Sequence, residues 1–195
     1  MISALYVRED SVYKEMGVDS WDINRDARLW PGGHPVIAHP PCGQWSRLYK
    51  FARPDPELKA LALLAIDQVR EWGGILEHPA HSRLWKEKEM PMPGQIDNWG
   101  GYTICVDQSW WGHPARKKTF LYIVGIPQMG LPLIPLSLDA IEYTVSSSIK
   151  KYSGRRTRKE LPVGRRDITP HRFAQWLIEV ASIIYWVQQL KEKKP

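Results

Sequence analysis

The first third of the chain alternates short apolar runs with polar turns, which predicts strands separated by loops. Two β-type runs, ISALYV and VDSWDI, flank a short helix predicted from Val12 to Met16, with Asp10 and Ser11 as capping residues and Gly17 at its end. After a loop with a Pro-Gly-Gly turn, the apolar segment PVIA has the composition of a buried strand.

The clearest helix is predicted from Pro56 to Trp72. Its apolar residues recur at helical spacing, Asp55 precedes it as a capping residue, and Gly73-Gly74 ends it. The apolar run GGILEHP follows at once and predicts another strand. A strand, a helix and a strand in this order are typical of a parallel sheet with a crossover helix, so the predicted fold class is α/β.

The second half of the chain predicts two more strands, a surface segment and a final helix. YTICVDQ and TFLYIVGI are β-type runs separated by a loop, which favours an adjacent antiparallel pair. Residues 127–168 are rich in proline and serine and show little periodicity, so we expect a long basic excursion over the surface. Thr169-Pro170 opens a helix predicted to reach about residue 191. A length of 195 residues suits a single domain spanning residues 1–195.

Three short segments carry side chains suited to chemistry: HPPC at 39–42, LEHP at 76–79 and WGHPARKK at 111–118. The first two follow apolar strands, and ligands bind at that edge of open α/β sheets. Pro40-Pro41 stiffens the backbone and holds Cys42 in a fixed direction, which favours a nucleophile. Glu77 closes an apolar strand, so we expect burial to raise its pKa and suit it to donate a proton.

The cysteine and histidine residues indicate the expected location of the protein and whether a metal site is expected. The only two cysteines, Cys42 and Cys105, are too few for a disulfide framework, so the expected location is a reducing cytoplasm. Cys105 stands among apolar neighbours in a predicted strand and is interpreted as a small buried hydrophobic residue. No metal site is predicted, because the spacing of the possible ligands matches no familiar zinc pattern; these are His39, Cys42, His78, His81 and His113. The N-terminus lacks the pattern of a secretory signal, and no apolar run is long enough to span a bilayer.

The net charge of +6 is concentrated in one region. Residues 150–172 hold nine Lys and Arg residues against two acidic ones. Such a run is either a solvated surface or a contact surface for phosphates, where neutralised phosphates release counterions and add salt-dependent affinity. A partner that carries phosphates is therefore one of two readings that stay open, and no membrane partner is expected.

The segments singled out above resemble, in order, the motifs of the cytosine-5 DNA methyltransferase family. The segment PCGQWS (41–46) is similar to the family's Pro-Cys nucleophile motif, which usually ends in Phe-Ser. Glu77-His78-Pro79 stands where the family has Glu-Asn-Val, and residues 112–119 resemble its basic motif before a strand. Trp21-Asp22-Ile23 resembles a Gly-Asp-Ile motif that contacts the cofactor, and Ile168-Thr169-Pro170 a late Leu-Thr-Pro segment.

The resemblance covers roughly residues 19–126 and the final helix, and it implies a compact Rossmann-like methyltransferase sheet with flanking helices. It implies S-adenosylmethionine as cofactor and cytosine in DNA as substrate, in the cytoplasm of a bacterial or phage-infected cell. Cys42 adds to C6 of the base, Glu77 acts at N3, and Lys117 lowers the thiol pKa and holds the adduct. The predicted cofactor-binding residues are Asp10, Ser11, Asp22 and Ile23. The predicted substrate- and DNA-binding residues are Pro41, Ser46, Arg116, Lys118, Arg155, Arg156 and Arg158.

The chain departs from the family in its first half. The strand ISALYV leads into Arg-Glu-Asp-Ser and not into a Gly-rich loop, and no separate recognition domain fits between the last strand and the final helix. Amide groups at the start of the helix after Asp10-Ser11 replace that loop as the place for a carboxylate. Three functions stay open: a methyltransferase acting on DNA cytosine, an enzyme that modifies a pyrimidine with another group or as a free nucleotide, and a catalytically silent DNA-binding protein.

Overall fold

The computed structural model describes residues 1–46, 49, 53–137, 141–145 and 159–193. Six strands form the main sheet: β1 (Ser3–Leu5), β2 (Asp19–Trp21), β3 (Val36–Ala38), β4 (Gly74–Pro79), β5 (Tyr102–Asp107) and β6 (Lys118–Val124). Their order in the sheet is β2-β1-β3-β4-β6-β5. Two further strands of two residues each, β7 (Tyr143–Thr144) and β8 (Lys159–Glu160), form a separate parallel pair.

The central strands are parallel and in register at their first residues. Ser3 pairs with Val36, and Val36 pairs with Gly74, so β1, β3 and β4 begin at one level and end near the same edge. Strand β6 is antiparallel to both of its neighbours, β4 and β5. The chain moves from β1 outward to β2 and then to β3 on the other side of β1. This reversal of direction places a topological switch point between β1 and β3.

Helices cover both faces of the sheet. The helices are α1 (Val12–Glu15), α2 (Pro56–Trp72), α3 (Val163–Arg166) and α4 (His171–Glu192). Ala4, Ile37 and Ile75 belong to a core shared with α4, because alternate residues of a strand face opposite sides. Their neighbours Leu5, Ala38 and Leu76 belong to the second core, which contains the buried face of α2.

The predicted α/β class is confirmed, and a mixed sheet of this order is compatible with a Rossmann-like fold. The helix predicted over 56–72 is observed with the same bounds, and the final helix spans His171–Glu192. The predicted antiparallel pair is β5 and β6. Of the predicted excursion over 127–168, the structure describes residues 127–137, 141–145 and 159–168, which include a 3-10 turn, β7, β8 and α3.

Two expectations about strands are corrected by the sheet. Cys105 is exposed and not buried; it is the one exposed residue of β5, which is an edge strand of the sheet. Glu77 lies within β4 and not beyond it. Strand β4 continues to Pro79 because the antiparallel partner β6 pairs with Glu77, His78 and Pro79 in turn.

Gly74 allows β4 to start directly beside β3. Its φ is +125°, and a Cβ at this position would lie 2.0 Å from the carbonyl oxygen of Val36. We predict that Gly74→Ala lowers the free energy of unfolding by about 2–4 kcal/mol, since both the backbone conformation and the contact are unfavourable for a side chain. Urea denaturation measures this effect. Gly164→Ala is the matched control, because a Cβ there meets no atom within 4 Å.

Candidate active site

A cavity of about 720 Å³ opens at the carboxyl ends of β1, β3 and β4. It lies at the switch point of the sheet, where open α/β folds bind their ligands, and its volume is in the range of small-molecule sites. One half is formed by the residues after β3 and by β4. The other half is formed by the segment after β1, by α1 and by the residues that lead into α4.

The three side chains predicted to be catalytic line this one cavity. They come from parts of the chain that are distant in sequence: Cys42 follows β3, Glu77 belongs to β4, and Lys117 immediately precedes β6. The Lys117 backbone N–H donates to Oδ1 of Asp107 over 3.0 Å, and its carbonyl accepts from the Gln108 N–H over 3.1 Å. The parallel register of β3 and β4 and the antiparallel pairing of β4 and β6 therefore bring thiol, carboxylate and ammonium to one hollow.

Cys42 is held by the turn that follows it. Residues Gly43–Trp45 form a single 3-10 turn in which the Trp45 N–H donates to the Cys42 carbonyl over 3.0 Å. Trp45 is buried, and its indole N–H donates to the Lys59 carbonyl of α2 over 3.2 Å. The side chain of Cys42 is thus fixed from both ends, by Pro40-Pro41 before it and by this buried anchor after it.

Glu77 is the centre of a chain of hydrogen bonds. Nδ1 of His39 lies 3.0 Å from Oε2 of Glu77, and Nε2 of Gln108 donates to Oε1 over 2.9 Å. On the far side of the imidazole, the Tyr13 hydroxyl lies 2.9 Å from Nε2 of His39. Gln108 also donates to the Thr119 hydroxyl over 3.0 Å, which fixes the orientation of its amide. Both carboxylate oxygens of Glu77 are therefore paired inside the protein.

The pKa of Glu77 differs from the expectation of a raised value. Burial acts to raise it, but the hydrogen bond from His39 and the positive charges of Lys117 and His39 outweigh burial and lower the pKa to about 2. The expectation was wrong because it considered the apolar strand alone. The partners of the carboxylate come from the residue before β6, from the end of β3 and from the turn after β5, which the local sequence of β4 does not show.

The thiol of Cys42 is neutral at pH 7. Burial raises its pKa, and the negative charges of Asp167 and Glu77 raise it further, while Lys117 lowers it. The predicted effect of Lys117 on the thiol is thus present, yet it is smaller than the effects that oppose it. A thiolate at Cys42 needs a further change in the cavity, such as an added positive charge.

The second half of the cavity contains two of the four residues predicted to bind a cofactor. Asp10 and Ser11 line it, and Asp10 forms an ion pair of 2.7 Å with Arg8. Asp22 and Ile23 are not part of the lining. Asp22 is buried in a turn, where it accepts hydrogen bonds from two backbone amides and from Lys14, and Ile23 is 83% exposed.

The residues predicted to bind DNA are distributed unevenly around the cavity. Pro41 is part of its wall. Arg116 and Lys118 are exposed on either side of Lys117, and Ser46 ends the 3-10 turn after Cys42; these three lie outside the lining. Arg155, Arg156 and Arg158 lie outside the described residues.

Several residues of the site were missed by sequence reasoning. Tyr13, Gln108 and Asp167 carry no local signal, because each becomes relevant only when the sheet and helices are assembled. His39 was weighed only as a metal ligand, although its position directly after a buried strand is the signal that could have placed it in the cavity. Within the described part of the chain, no group of three or more His, Cys, Asp or Glu residues is arranged to hold a metal ion.

Comparisons with known proteins leave the site to be interpreted from its geometry. No protein-family model matches the chain. No curated protein matches it in sequence. Among the described residues, no helix has both the length and the apolar character required to cross a membrane.

His78 is the buried neighbour of Glu77 and makes stability depend on pH. Its ring is fully buried and contacts Trp85 edge to face. Burial lowers the pKa of His78 to about 4, against smaller raising effects from Glu77 and the Pro41 carbonyl. The folded protein therefore holds His78 neutral in a pH range where the unfolded chain binds a proton.

We predict that the free energy of unfolding falls by about 3 kcal/mol through His78 as the pH drops from about 6.5 to about 4. This contribution is complete above pH 6.5, and Glu77 adds a separate loss from about pH 4.5 towards 2. Urea denaturation at several pH values measures both. In His78→Asn the free energy of unfolding changes less between pH 6.5 and pH 4 than in the wild type. His81→Asn, which changes an exposed histidine, shows the same pH dependence as the wild type.

Proposed function

We propose that the protein is a DNA cytosine-5 methyltransferase-like enzyme of the Rossmann-like methyltransferase class. The observation that carries this proposal is the presence of Cys42, Glu77 and Lys117 in the wall of one cavity at the carboxyl edge of the sheet. A thiol, a carboxylate and an ammonium group are the three side chains that addition to a cytosine ring requires. Their order along the chain is also the order of the family motifs they resemble.

The chemistry assigns a role to each side chain. The thiol of Cys42 loses its proton to solvent, the sulfur forms a bond to C6 of cytosine, and the electrons of the C5–C6 double bond make C5 nucleophilic. Glu77 faces the edge with N3 and the 4-amino group, where charge develops during addition. Lys117 stabilises the thiolate and the adduct. After transfer to C5, loss of the C5 proton to solvent and cleavage of the sulfur–carbon bond release the product.

The second half of the cavity fits S-adenosylmethionine, which supplies an electrophilic methyl group when bound. This cofactor carries a sulfonium and an ammonium group, and the half-cavity offers the carboxylates of Asp10 and Glu15 together with the hydroxyls of Ser11 and Thr169. Asp10 and Glu15 are the residues that would hold the positive groups, and Arg8 would hold the carboxylate. These residues replace the Gly-rich loop of the family.

The charge of the cavity favours a methyltransferase that acts on DNA over an enzyme that acts on a free nucleotide. Its wall holds four carboxylates, Asp10, Glu15, Glu77 and Asp167, against the two permanent cations Arg8 and Lys117. A polyphosphate in this cavity would meet more like charge than opposite charge, whereas a cationic donor meets the reverse.

The proposed target is a base of DNA that enters the cavity while the phosphates stay outside. Arg116 and Lys118 are exposed next to Lys117 and provide positive charge beside the site. Phosphate contacts at such positions add affinity without reading sequence. A base inside a duplex reaches the thiol only after it leaves the stack.

We predict that the protein forms a covalent complex with an oligonucleotide that contains 5-fluorocytosine, in the presence of S-adenosylmethionine. The fluorine replaces the C5 proton and prevents release, so the sulfur–carbon bond persists. Intact-mass measurement detects the summed mass of the protein, the oligonucleotide and the transferred methyl group, less the proton of the thiol. Cys42→Ser abolishes the complex, and Glu77→Gln slows its formation by about 100-fold or more, the range for loss of a group that handles protons.

Cys105→Ser is the matched control, because Cys105 is the second cysteine of the chain and lies exposed on the edge strand. This variant keeps the covalent complex at the wild-type rate. A complex that survives Cys42→Ser but is lost in Cys105→Ser would contradict the assignment of the nucleophile. Salt-sensitive DNA binding without any covalent complex would favour the catalytically silent DNA-binding protein.

A further inference from the structure

We infer that His39 and Glu77 form a proton-sharing pair, in which entry of a neutral base into the cavity moves a proton from Nδ1 of His39 to Oε2 of Glu77. The inference rests on the proposed function for the identity of the base as cytosine. It deepens that function by assigning a role to His39, a residue that none of the motifs above includes. His39 acts through Glu77 and is a positioning residue in this sense.

The geometry leaves His39 as the source of the proton. Of the two described side chains hydrogen-bonded to Glu77, Gln108 is an amide that donates a hydrogen bond but does not release a proton. His39 lies 3.0 Å away at Nδ1, a distance over which a proton passes directly between the two atoms. In this inference the resting pair is an imidazolium beside a carboxylate, which is the form in which this contact between two largely buried side chains is an ion pair.

Tyr13 allows the imidazole to change its charge without losing a partner. Its hydroxyl lies 2.9 Å from Nε2 of His39, and the ring is 1% exposed. Burial and the charge of Glu77 raise the Tyr13 pKa well above its ordinary value, so the hydroxyl keeps its proton. A hydroxyl both accepts and donates hydrogen bonds. Tyr13 therefore accepts from Nε2–H in the imidazolium and still accepts from it after the transfer, because Nε2 keeps its hydrogen when Nδ1 loses its proton.

Removal of water drives the transfer. In the open cavity the side chains of His39 and Glu77 are each 11% exposed to water, whereas a flat neutral base against Glu77 excludes this remaining water and favours the neutral forms of both groups. The step is balanced: His39 loses one proton, Glu77 gains it, and the charge of the pair stays zero. After rotation of the new O–H about its C–O bond, Glu77 donates to N3 of the base and still accepts from the 4-amino group through its other oxygen.

The other titratable groups around His39 and Glu77 either oppose the proton transfer between them or leave it unaffected. Lys117, from the segment before β6, favours the charged form of Glu77 and so keeps the transfer from occurring in the empty cavity. His78 on β4 is buried and neutral, and Cys42 after β3 is a neutral thiol in the resting protein. Asp167, before α4, acts on Cys42. Of these, only Lys117 carries a charge that changes the balance within the pair.

The kinetic test compares pH profiles of methyl transfer to DNA by the full chain and by His39→Gln. Glutamine keeps a hydrogen-bond donor towards Glu77 but holds no transferable proton. At pH 7.5 we expect kcat of the variant to fall by about 100-fold with KM within about threefold, and at pH 5.5 kcat to lie within about tenfold of wild type, because Glu77 then takes its proton from solvent. Tyr13→Phe, which leaves the pair intact, loses less than about tenfold at both pH values.

Equal activity of His39→Gln and wild type at both pH values would overturn the inference. A uniform loss at both pH values would also overturn it, because a structural role of His39 predicts that outcome. Thermal unfolding of each variant identifies those that fail to fold, and His39→Asn, with its shorter amide, then takes the place of His39→Gln in the same comparison.

A second measurement separates this inference from the proposed function. In ¹⁵N NMR of histidine side chains in the free protein at pH 7.5, the inference predicts that both ring nitrogens of His39 carry a proton in the wild type and that only one of them does in Glu77→Gln. The same protonation of His39 in both proteins would overturn the pair. The predicted difference in a protein that transfers no methyl group to DNA would support the pair and contradict the methyltransferase assignment.

Discussion

A carboxylate buried at the end of a central strand is the constraint on which the organisation of the site depends. Glu77 is exposed by only 9% of its surface, and an ionised group in that position is stable only if its oxygens are paired. The pairing requires His39 from the end of β3 and Gln108 from the turn after β5. Neither contact exists unless β3, β4, β6 and β5 stand side by side in their observed order.

The register of the sheet follows from the same requirement. A shift of β4 by one residue against β3 would turn Glu77 towards the core of α2 and place Leu76 in the cavity. Gly74 holds the register at the other end of β4, because its close approach to Val36 leaves no room for a side chain. Backbone contact at one end and the paired carboxylate at the other thus determine where Cys42 lies relative to Glu77.

The sequence predicted the elements well, because each has a local cause. Helix α2 has a capping aspartate, apolar residues at helical spacing and a glycine end, and its bounds were predicted to the residue. The exposure of Cys105 could not be predicted in the same way, since it depends on β5 being the outermost strand and strand order is a property of the whole sheet.

The same distinction applies to the candidate site. Cys42, Glu77 and Lys117 were singled out from short motifs, and the structure brings them together in one cavity. The predicted direction of the Glu77 pKa shift was wrong, because the pKa depends on partners that are far apart in sequence. The participation of Tyr13 could not be seen either, since only the packing of α1 against the end of β3 brings its hydroxyl to His39.

Under the proposed function, the free protein holds its two reactive groups in the protonation states that oppose reaction. The thiol of Cys42 is neutral and the carboxylate of Glu77 is charged, whereas addition to cytosine requires a thiolate and a proton at N3. A positive charge in the neighbouring half of the cavity lowers the thiol pKa, and a base that excludes water near Glu77 raises the pKa of that carboxyl. The positively charged cofactor therefore favours the thiolate of Cys42, and the base favours the protonated form of Glu77. Under the proposed function, the site becomes reactive only when both halves of the cavity are filled, which protects the thiol of the free enzyme from unproductive chemistry.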